Sequence, residues 1–76
     1  MIQISDVTHL IYESEEAVFY KNMAQCACML SHSDCVLLDV FELNGKVVMV
    51  FPKELHKKYI KDWVKRKEQM GVEEDD

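Results

Sequence analysis

An Asn-Gly dipeptide between two apolar runs leaves this chain few ways to fold. The runs "CVLLDVFEL" and "KVVMVF" flank Asn44-Gly45 and are rich in β-branched and aromatic residues, which favour strands. Both central residues of a type I′ turn need positive φ, which Asn and Gly adopt readily, so the sequence predicts a two-residue hairpin. The turn also sets the predicted register, which pairs Leu43 with Lys46, Phe41 with Val48, and Asp39 with Val50.

This register divides the hairpin into two apolar faces, because side chains alternate along a strand. The face predicted to meet the core contains Val36, Leu38, Val40, Val47, Met49 and Phe51. A monomer rarely leaves a second contiguous apolar patch in water. We therefore predict that the second face is an interface with another copy or a partner, unless a helix crosses to cover it. Its residues are Leu37, Phe41, Leu43, Val48 and Val50.

Helices are predicted before and after this hairpin. Ser14 is a plausible N-cap of the first helix, and Glu15 and Glu16 favour the helix dipole in its first turn. The second helix is expected to begin after Pro52 and to end at Gly71. The predicted core stripe of the first helix is Phe19, Met23, Cys26 and Leu30. The predicted apolar face of the second is Leu55, Tyr59, Ile60, Trp63 and Met70.

The first dozen residues alternate in a way that predicts a strand interrupted near Asp6, with a short helix from Ser5 or Asp6 as the alternative. The predicted order is β-α-β-β-α. The fold class is α+β, with a three-stranded, mainly antiparallel sheet and two helices packed on one face as two layers. A chain of 76 residues has room for one small domain, predicted over residues 1–71 and followed by an acidic, frayed tail over 72–76.

Charge is distributed unevenly along the chain. The net charge is −5, yet residues 53–67 contain seven Lys or Arg against two acidic residues. The basic side of the second helix is predicted to hold Lys57, Lys58, Lys61 and Lys65, at helical spacing. Basic residues interleaved with aromatic ones could contact a nucleic acid, or an acidic protein. The aromatic residues fall on the core stripe, and the rest of the chain is acidic, so nucleic acid is not the favoured partner.

All three cysteines lie between Gln25 and Cys35, with His32 among them. Three thiolates and an imidazole could bind zinc. On a helix, however, residues two apart point to opposite sides, so Cys26 and Cys28 cannot share an ion. We therefore predict no metal site and no cofactor. Small residues around Cys28 indicate that the second helix, or another subunit, packs against that side.

No phosphate-binding glycine motif, C-x-x-C motif or catalytic triad spacing occurs in the sequence. A chain with reduced thiols, no apolar signal core and no membrane-length apolar run is expected to be cytoplasmic. We predict a non-enzymatic protein-interaction module, a regulator or inhibitor that binds another protein and forms a homodimer. One alternative is a nucleic-acid-binding regulator that uses the basic helix. Another is a phage-type acidic inhibitor of a nucleic-acid enzyme, with acidic segments at Glu13–Glu16 and in the tail.

Overall fold

The structure, a computed structural model, describes residues 1–70. The described chain contains short strands, one 3-10 turn and two α-helices. In order they are β1 (Ile2–Ile4), β2 (Ile11–Glu13), the 3-10 turn (Ser14–Glu16), β3 (Ala17–Tyr20), α1 (Met23–Leu30), β4 (Asp39–Leu43), β5 (Lys46–Pro52) and α2 (Lys53–Met70). The predicted helix stop at Gly71, the predicted tail and the side chain of Met70 lie outside the described part.

β5 is the central strand of a three-stranded antiparallel sheet with the order β3-β5-β4, while β1 and β2 form a separate antiparallel pair. The predicted α+β class, with three antiparallel strands and two helices, is confirmed. Asn44 and Gly45 have φ of 53° and 79°, as a type I′ turn requires. The predicted register is therefore confirmed, with Leu43 opposite Lys46, Phe41 opposite Val48 and Asp39 opposite Val50.

The prediction that the first helix begins at Ser14 is wrong, because α1 begins only at Met23. Ser14 does not cap a helix; Ser14–Glu16 forms a 3-10 turn, in which the Glu13 side chain accepts a hydrogen bond from the Glu15 N–H. Ala17–Tyr20 then forms β3, which pairs with β5 along its whole length. Val, Phe and Tyr favour strands, and pairing with β5 overrides the helical spacing of the apolar residues.

The helix α1 begins only at Met23, where the Asn22 side chain accepts a hydrogen bond from the Gln25 N–H. Because α1 is short, the predicted core stripe is largely wrong. Cys26 is 1% exposed, but Phe19, Met23 and Leu30 are 45%, 47% and 46% exposed. The buried residues of α1 are Cys26, Cys28 and Met29.

Both helices pack against one face of the sheet. The buried centre of this side is Tyr20, Cys26, Met29 and Phe51. Partly buried apolar residues surround it, including Leu55 and Tyr59 from α2 and Val18 and Met49 from the sheet. Trp63 of α2 is also buried, at 3% exposure. This layer agrees with the predicted apolar face of the second helix.

The opposite face of the sheet is covered within the chain, by a segment that was not expected there. Residues 1–13, here called the N-terminal hairpin, do not extend the main sheet; they lie over its second face. Tyr12 packs there in a buried cluster with Ala17 and Val50. Val50 of this cluster is 0% exposed and Val48 on the same face is 1% exposed, so their predicted place on an exposed interface is wrong.

Three further assignments to the two faces of the hairpin, at Val36, Leu37 and Leu38, are wrong because these residues precede β4. Leu37 packs with the helix-side core, while Leu38 packs with the Tyr12 cluster, the reverse of the prediction. Val36 and Val47, both predicted to be core residues, are 45% and 44% exposed. Strand alternation does not apply to the residues before β4, whereas Val47 lies within β5, opposite Glu42 and beside the turn, and is exposed although it is paired.

Candidate functional site

A buried aspartate attaches the N-terminal hairpin to the sheet. Asp39, at the start of β4, is 9% exposed. Its Oδ1 accepts a 2.6 Å hydrogen bond from the Ser5 hydroxyl, and its Oδ2 accepts one of 2.8 Å from the Tyr12 hydroxyl. The Val40 N–H also donates to Oδ1, at 2.8 Å. A buried carboxylate with partners on both oxygens fixes the position of the hairpin.

The ionisation of these groups reflects the same contacts. Burial acts to raise the pKa of Asp39, but hydrogen bonds from Ser5, Tyr12 and the Val40 N–H outweigh it and lower the pKa. Burial raises the pKa of Tyr12 to about 12, and the neighbouring Asp39 carboxylate adds to the effect. Asp39 is therefore an anion and Tyr12 a neutral donor at neutral pH.

The N-terminal hairpin turns its apolar side to solvent. Tyr12 and Gln3 are cross-strand partners on the inner side, so the next positions along each strand point outward. The outward residues Ile2, Ile4 and Ile11, here called the hairpin face, are 63%, 66% and 68% exposed. Ile4 and Ile11 are direct cross-strand partners. Met1, Val7 and Leu10 of the same segment are also exposed, at 76%, 61% and 41%.

The predicted interface is therefore not one exposed surface. Of its five residues, Val48 and Val50 are buried, and Leu37 and Phe41 are partly buried against the two cores. Leu43, beside the turn, is 48% exposed. The strongest exposed apolar surface lies on the hairpin face. Its signal in the sequence is the alternation of Ile2 and Ile4, which we assigned to a third strand of the main sheet, whereas this strand pairs with β2 in a separate sheet.

The predicted basic surface is present on α2, where Lys57, Lys58, Lys61 and Lys65 are all exposed. Lys58 is engaged by Asp34, with 2.8 Å between Nζ and Oδ2. Arg66 and Asp62, four residues apart on the helix, also form an ion pair, with 3.3 Å between Nε and Oδ2. The other three lysines make no ion pair with the described residues. The side of α2 that faces solvent therefore carries unneutralised positive charge.

A second aspartate lies where α1 meets α2. Asp62 Oδ2 is 3.2 Å from His32 Nε2 and 3.9 Å from Cys28 Sγ. One potential ligand atom from each of these residues lies within 4.8 Å of the other two. Cys28 is buried, at 6% exposure. Its packing against α2 agrees with the partner that the small residues around it indicate.

The three thiols are all held in the protonated state by their surroundings. Burial raises the pKa of Cys26 to about 11. Burial also raises the pKa of Cys28, with Asp62 reinforcing the shift and Arg66 opposing it. Burial and the nearby Asp34 raise the pKa of Cys35. An activated catalytic thiol requires a lowered pKa, so none of the cysteines has the environment of a nucleophile.

Cys28, His32 and Asp62 also do not have the geometry of a catalytic relay. In a relay the base contacts the nucleophile through one ring nitrogen and the orienting carboxylate through the other. Here a single carboxylate oxygen, Asp62 Oδ2, lies beside both the thiol and His32 Nε2. The three groups converge on one point, which is the arrangement of ligands rather than of a proton relay.

Part of the grouping of Cys28, His32 and Asp62 could be predicted from the sequence. Cys28 and His32 are four residues apart, and the residues up to Ser31 remain helical in conformation, so both side chains lie on one side. The expectation of no metal site was based on Cys26 and Cys28, which are two residues apart, and did not take into account the four-residue spacing of Cys28 and His32. Asp62 is contributed by α2, and nothing in the local sequence connects it to Cys28.

An open cleft of ≈ 540 Å³ lies beside the edge strand β3, with Gln25 and His56 on its far side. Tyr20 and His56 form a 2.6 Å hydrogen bond between the phenol oxygen and Nδ1. Burial raises the pKa of Tyr20 to about 12, so the phenol keeps its proton at neutral pH. Both side chains are thus occupied with each other.

No helix in the described part of the chain is long and apolar enough to cross a membrane. No protein-family model matches the chain, and no curated protein or solved structure matches it significantly. Functional inference therefore depends on the geometry of these surfaces.

Proposed function

We propose that this protein is a non-enzymatic interaction module that forms a homodimer through its hairpin face. The observation that carries the proposal is the exposure of Ile2, Ile4 and Ile11 at 63–68% on one side of a two-stranded hairpin. Such a patch is rare on a protein that acts as a monomer. The hairpin is fixed by Asp39, so it presents a shaped surface rather than a loose segment.

A second copy of the same chain is the occupant that the charge pattern favours. A two-fold dimer brings identical surfaces together, so each must be complementary to itself. The hairpin face is apolar, and its one acidic neighbour in the register, Glu13, is paired with the Met1 ammonium group. Two such faces can meet without like-charge repulsion at their centre. Elsewhere the two copies, each of net charge −5, repel each other.

The homodimer predicts a specific response to mutation. Ile4→Lys places a charge in the centre of the hairpin face and should give a monomer. Leu43→Lys, the matched control, places the same charge on an exposed residue of the originally predicted interface and should leave the dimer intact. Multi-angle light scattering coupled to size-exclusion chromatography measures the mass of each variant. Because salt screens the repulsion between acidic copies, the wild-type dimer should tighten as ionic strength rises.

Two results would contradict the dimer. The first is a wild-type protein that remains monomeric at high micromolar concentration. The second is a dimer that Leu43→Lys dissociates and Ile4→Lys does not affect. That result would place the interface around the β4–β5 turn instead of on the hairpin face. Circular dichroism of both variants establishes that each is folded before its mass is interpreted.

In the proposed dimer, α2 keeps its basic side exposed for a further protein with an acidic surface. The alternative partner is nucleic acid, which Lys57, Lys61 and Lys65 could contact through phosphates. Fluorescence anisotropy with single- and double-stranded DNA and with RNA at low salt tests this reading. Salt-sensitive binding that is lost when the three lysines are replaced by Glu would establish the alternative. Of the two acidic segments in the acidic-inhibitor hypothesis, only Glu13–Glu16 lies in the described part of the chain. Within it, the Glu13 carboxylate already contacts the Met1 ammonium group and the Glu15 N–H.

A further inference from the structure

We propose that Cys28, His32 and Asp62 form a binding site for a zinc ion between the end of α1 and the middle of α2. This site is separate from the hairpin face and does not depend on the proposed dimer. It departs from our expectation that the chain has no metal site. That expectation considered Cys26 together with Cys28, whereas the structure groups Cys28 with a residue from α2.

The two distances from Asp62 to the other side chains suit one shared ion, and the ligand atoms of Cys28 and His32 lie within 4.8 Å of each other. Zn–N and Zn–O bonds of about 2.0–2.2 Å and Zn–S bonds of about 2.3 Å place two tetrahedral ligands about 3.3–3.7 Å apart. His32 Nε2 and Asp62 Oδ2 are 3.2 Å apart, and Cys28 Sγ and Asp62 Oδ2 are 3.9 Å apart. Shifts of a few tenths of an ångström would bring both pairs into the coordination range.

The state of His32 Nε2 is the second observation. This nitrogen is buried, yet it makes no hydrogen bond with any described residue. A buried polar atom without a partner is costly, and in native proteins it often marks a site for an ion or water. His32 Nε2 is close to Asp62 Oδ2 without the alignment of a hydrogen bond, as two ligands directed at a common ion would be.

The imidazole is held in place from outside the cluster. The His32 ring stacks on the Tyr59 ring, with 3.6 Å between centroids and 8° between planes. The Tyr59 hydroxyl donates a hydrogen bond to Asp34, which also receives one from Lys58. This chain of contacts limits the rotation of the imidazole and keeps Nε2 directed toward Asp62. A preorganised ligand loses less conformational freedom when an ion binds.

The donor set selects the class of metal. A thiolate and an imidazole with one carboxylate suit Zn²⁺, whereas Ca²⁺ and Mg²⁺ prefer oxygen ligands alone. On binding, Cys28 releases its thiol proton to solvent and coordinates as the thiolate. Three protein ligands leave the fourth tetrahedral position to water. Asp62 is partly exposed, at 38% of its side chain, so solvent reaches the site.

Arg66 opposes cation binding, and this effect can be measured. Its Nε lies 3.3 Å from the same Asp62 oxygen that would bind the metal. Arg66 also contacts the Ser31 hydroxyl, at 3.3 Å from its terminal nitrogen. Removal of the guanidinium charge by Arg66→Gln should therefore tighten zinc binding, while removal of a ligand should weaken it.

Co²⁺ and Zn²⁺ titrations of the untagged, reduced protein test the proposal. Co²⁺ should bind at one ion per chain, with a sulfur-to-cobalt charge-transfer band in the near ultraviolet and d–d bands of tetrahedral coordination. Zn²⁺ should displace it. Cys28→Ser, His32→Gln and Asp62→Asn should each weaken binding at least tenfold, since loss even of outer contacts costs about 10–100-fold. Cys35→Ser and His56→Gln are matched controls that should bind as the wild type does.

Zn²⁺ should also raise the melting temperature of the wild type and of the Cys35→Ser protein, but not of Cys28→Ser, since a ligand that binds only the folded state stabilises it. Absence of a sulfur-to-cobalt band overturns the site, as does stoichiometric binding that survives Cys28→Ser unchanged. If Cys28→Ser fails to fold, the test uses the zinc-induced increase in melting temperature of His32→Gln and of Arg66→Gln. Weaker binding in the first and tighter binding in the second support the site, and unchanged binding in both rejects it.

Discussion

Asp39 and Asp62 each join segments that are distant in the sequence, but they do so in opposite ways. Asp39 is buried, and each of its oxygens accepts a hydrogen bond from a side-chain hydroxyl. Asp62 is partly exposed; it accepts a long hydrogen bond from the Cys28 thiol and pairs with Arg66, but the neighbouring His32 Nε2 makes no hydrogen bond with any described residue. A satisfied buried network holds a structure together, whereas a buried polar atom without a partner often marks a site for an ion or water.

The largest expected effect is on stability. Asp39→Ala leaves the Ser5 and Tyr12 hydroxyls buried without an acceptor, and should lower the free energy of unfolding by about 3 kcal/mol. Asp62→Ala breaks only partly exposed contacts, and should cost less than about 1 kcal/mol without metal. Urea denaturation followed by circular dichroism measures both variants. If both variants lost the same free energy of unfolding, the distinction between a structural Asp39 and a metal-binding Asp62 would be contradicted.

The next effect concerns the thiols on the two sides of α1. A pKa of about 11 in place of 9.0 lowers the thiolate fraction of Cys26 at neutral pH about 100-fold. Cys26 is 1% exposed, while Cys28 beside Asp62 is 6% exposed and Cys35 is partly buried. Alkylation should therefore be fastest at Cys35, slower at Cys28 and slowest at Cys26.

Iodoacetamide labelling of the metal-free protein, read by peptide mass spectrometry, gives the three rates. In urea the three cysteines should react at similar rates, which serves as the control for intrinsic reactivity. Labelling of Cys26 as fast as that of Cys28 in the folded protein would show that the two environments do not differ as described.

The same contrast explains how much the sequence could predict. The register of β4 and β5 follows from Asn44-Gly45, because the turn is a local signal. The start of α2 follows from Pro52 in the same way. The strand β3 could not be distinguished from a helix, since Ala17–Tyr20 becomes a strand only by pairing with β5. Both aspartate clusters combine residues about 30 positions apart, and their partners are fixed only by tertiary packing.

A smaller effect compares two tyrosine hydroxyls that donate to aspartates. Tyr12→Phe removes a buried donor to Asp39 and should cost about 1 kcal/mol of unfolding free energy. Tyr59→Phe removes a donor to the exposed Asp34 but keeps the ring that stacks on His32. Its loss of stability should be smaller than that of Tyr12→Phe, and its zinc affinity should fall less than that of His32→Gln, because the stacked ring is retained and only the outer hydrogen bond is lost. Urea denaturation ranks the two variants, and a larger loss for Tyr59→Phe would reverse the expected order.

The smallest expected effect is the loss of stability in acid. Hydrogen bonds lower the pKa of Asp39, and the contacts with Lys58 and Tyr59 lower the pKa of Asp34 to about 2. Below about pH 4 the unfolded chain therefore binds more protons than the folded protein, so stability falls as pH falls. This contribution is fully present above the unfolded pKa and disappears as pH drops through the folded pKa.

Urea denaturation at a series of pH values between 6 and about 2 measures this fall. Asp34→Asn should remove the part of the fall that Asp34 contributes, because the pKa of Asp34 drops from 3.8 to about 2 on folding and stability is lost between these values. Because the Lys58–Asp34 pair is exposed, that part should also shrink as salt is added. The part due to the buried Asp39 should persist in salt, since its partners are neutral hydroxyls. Loss of the whole acid dependence in salt would show that Asp39 contributes nothing to it.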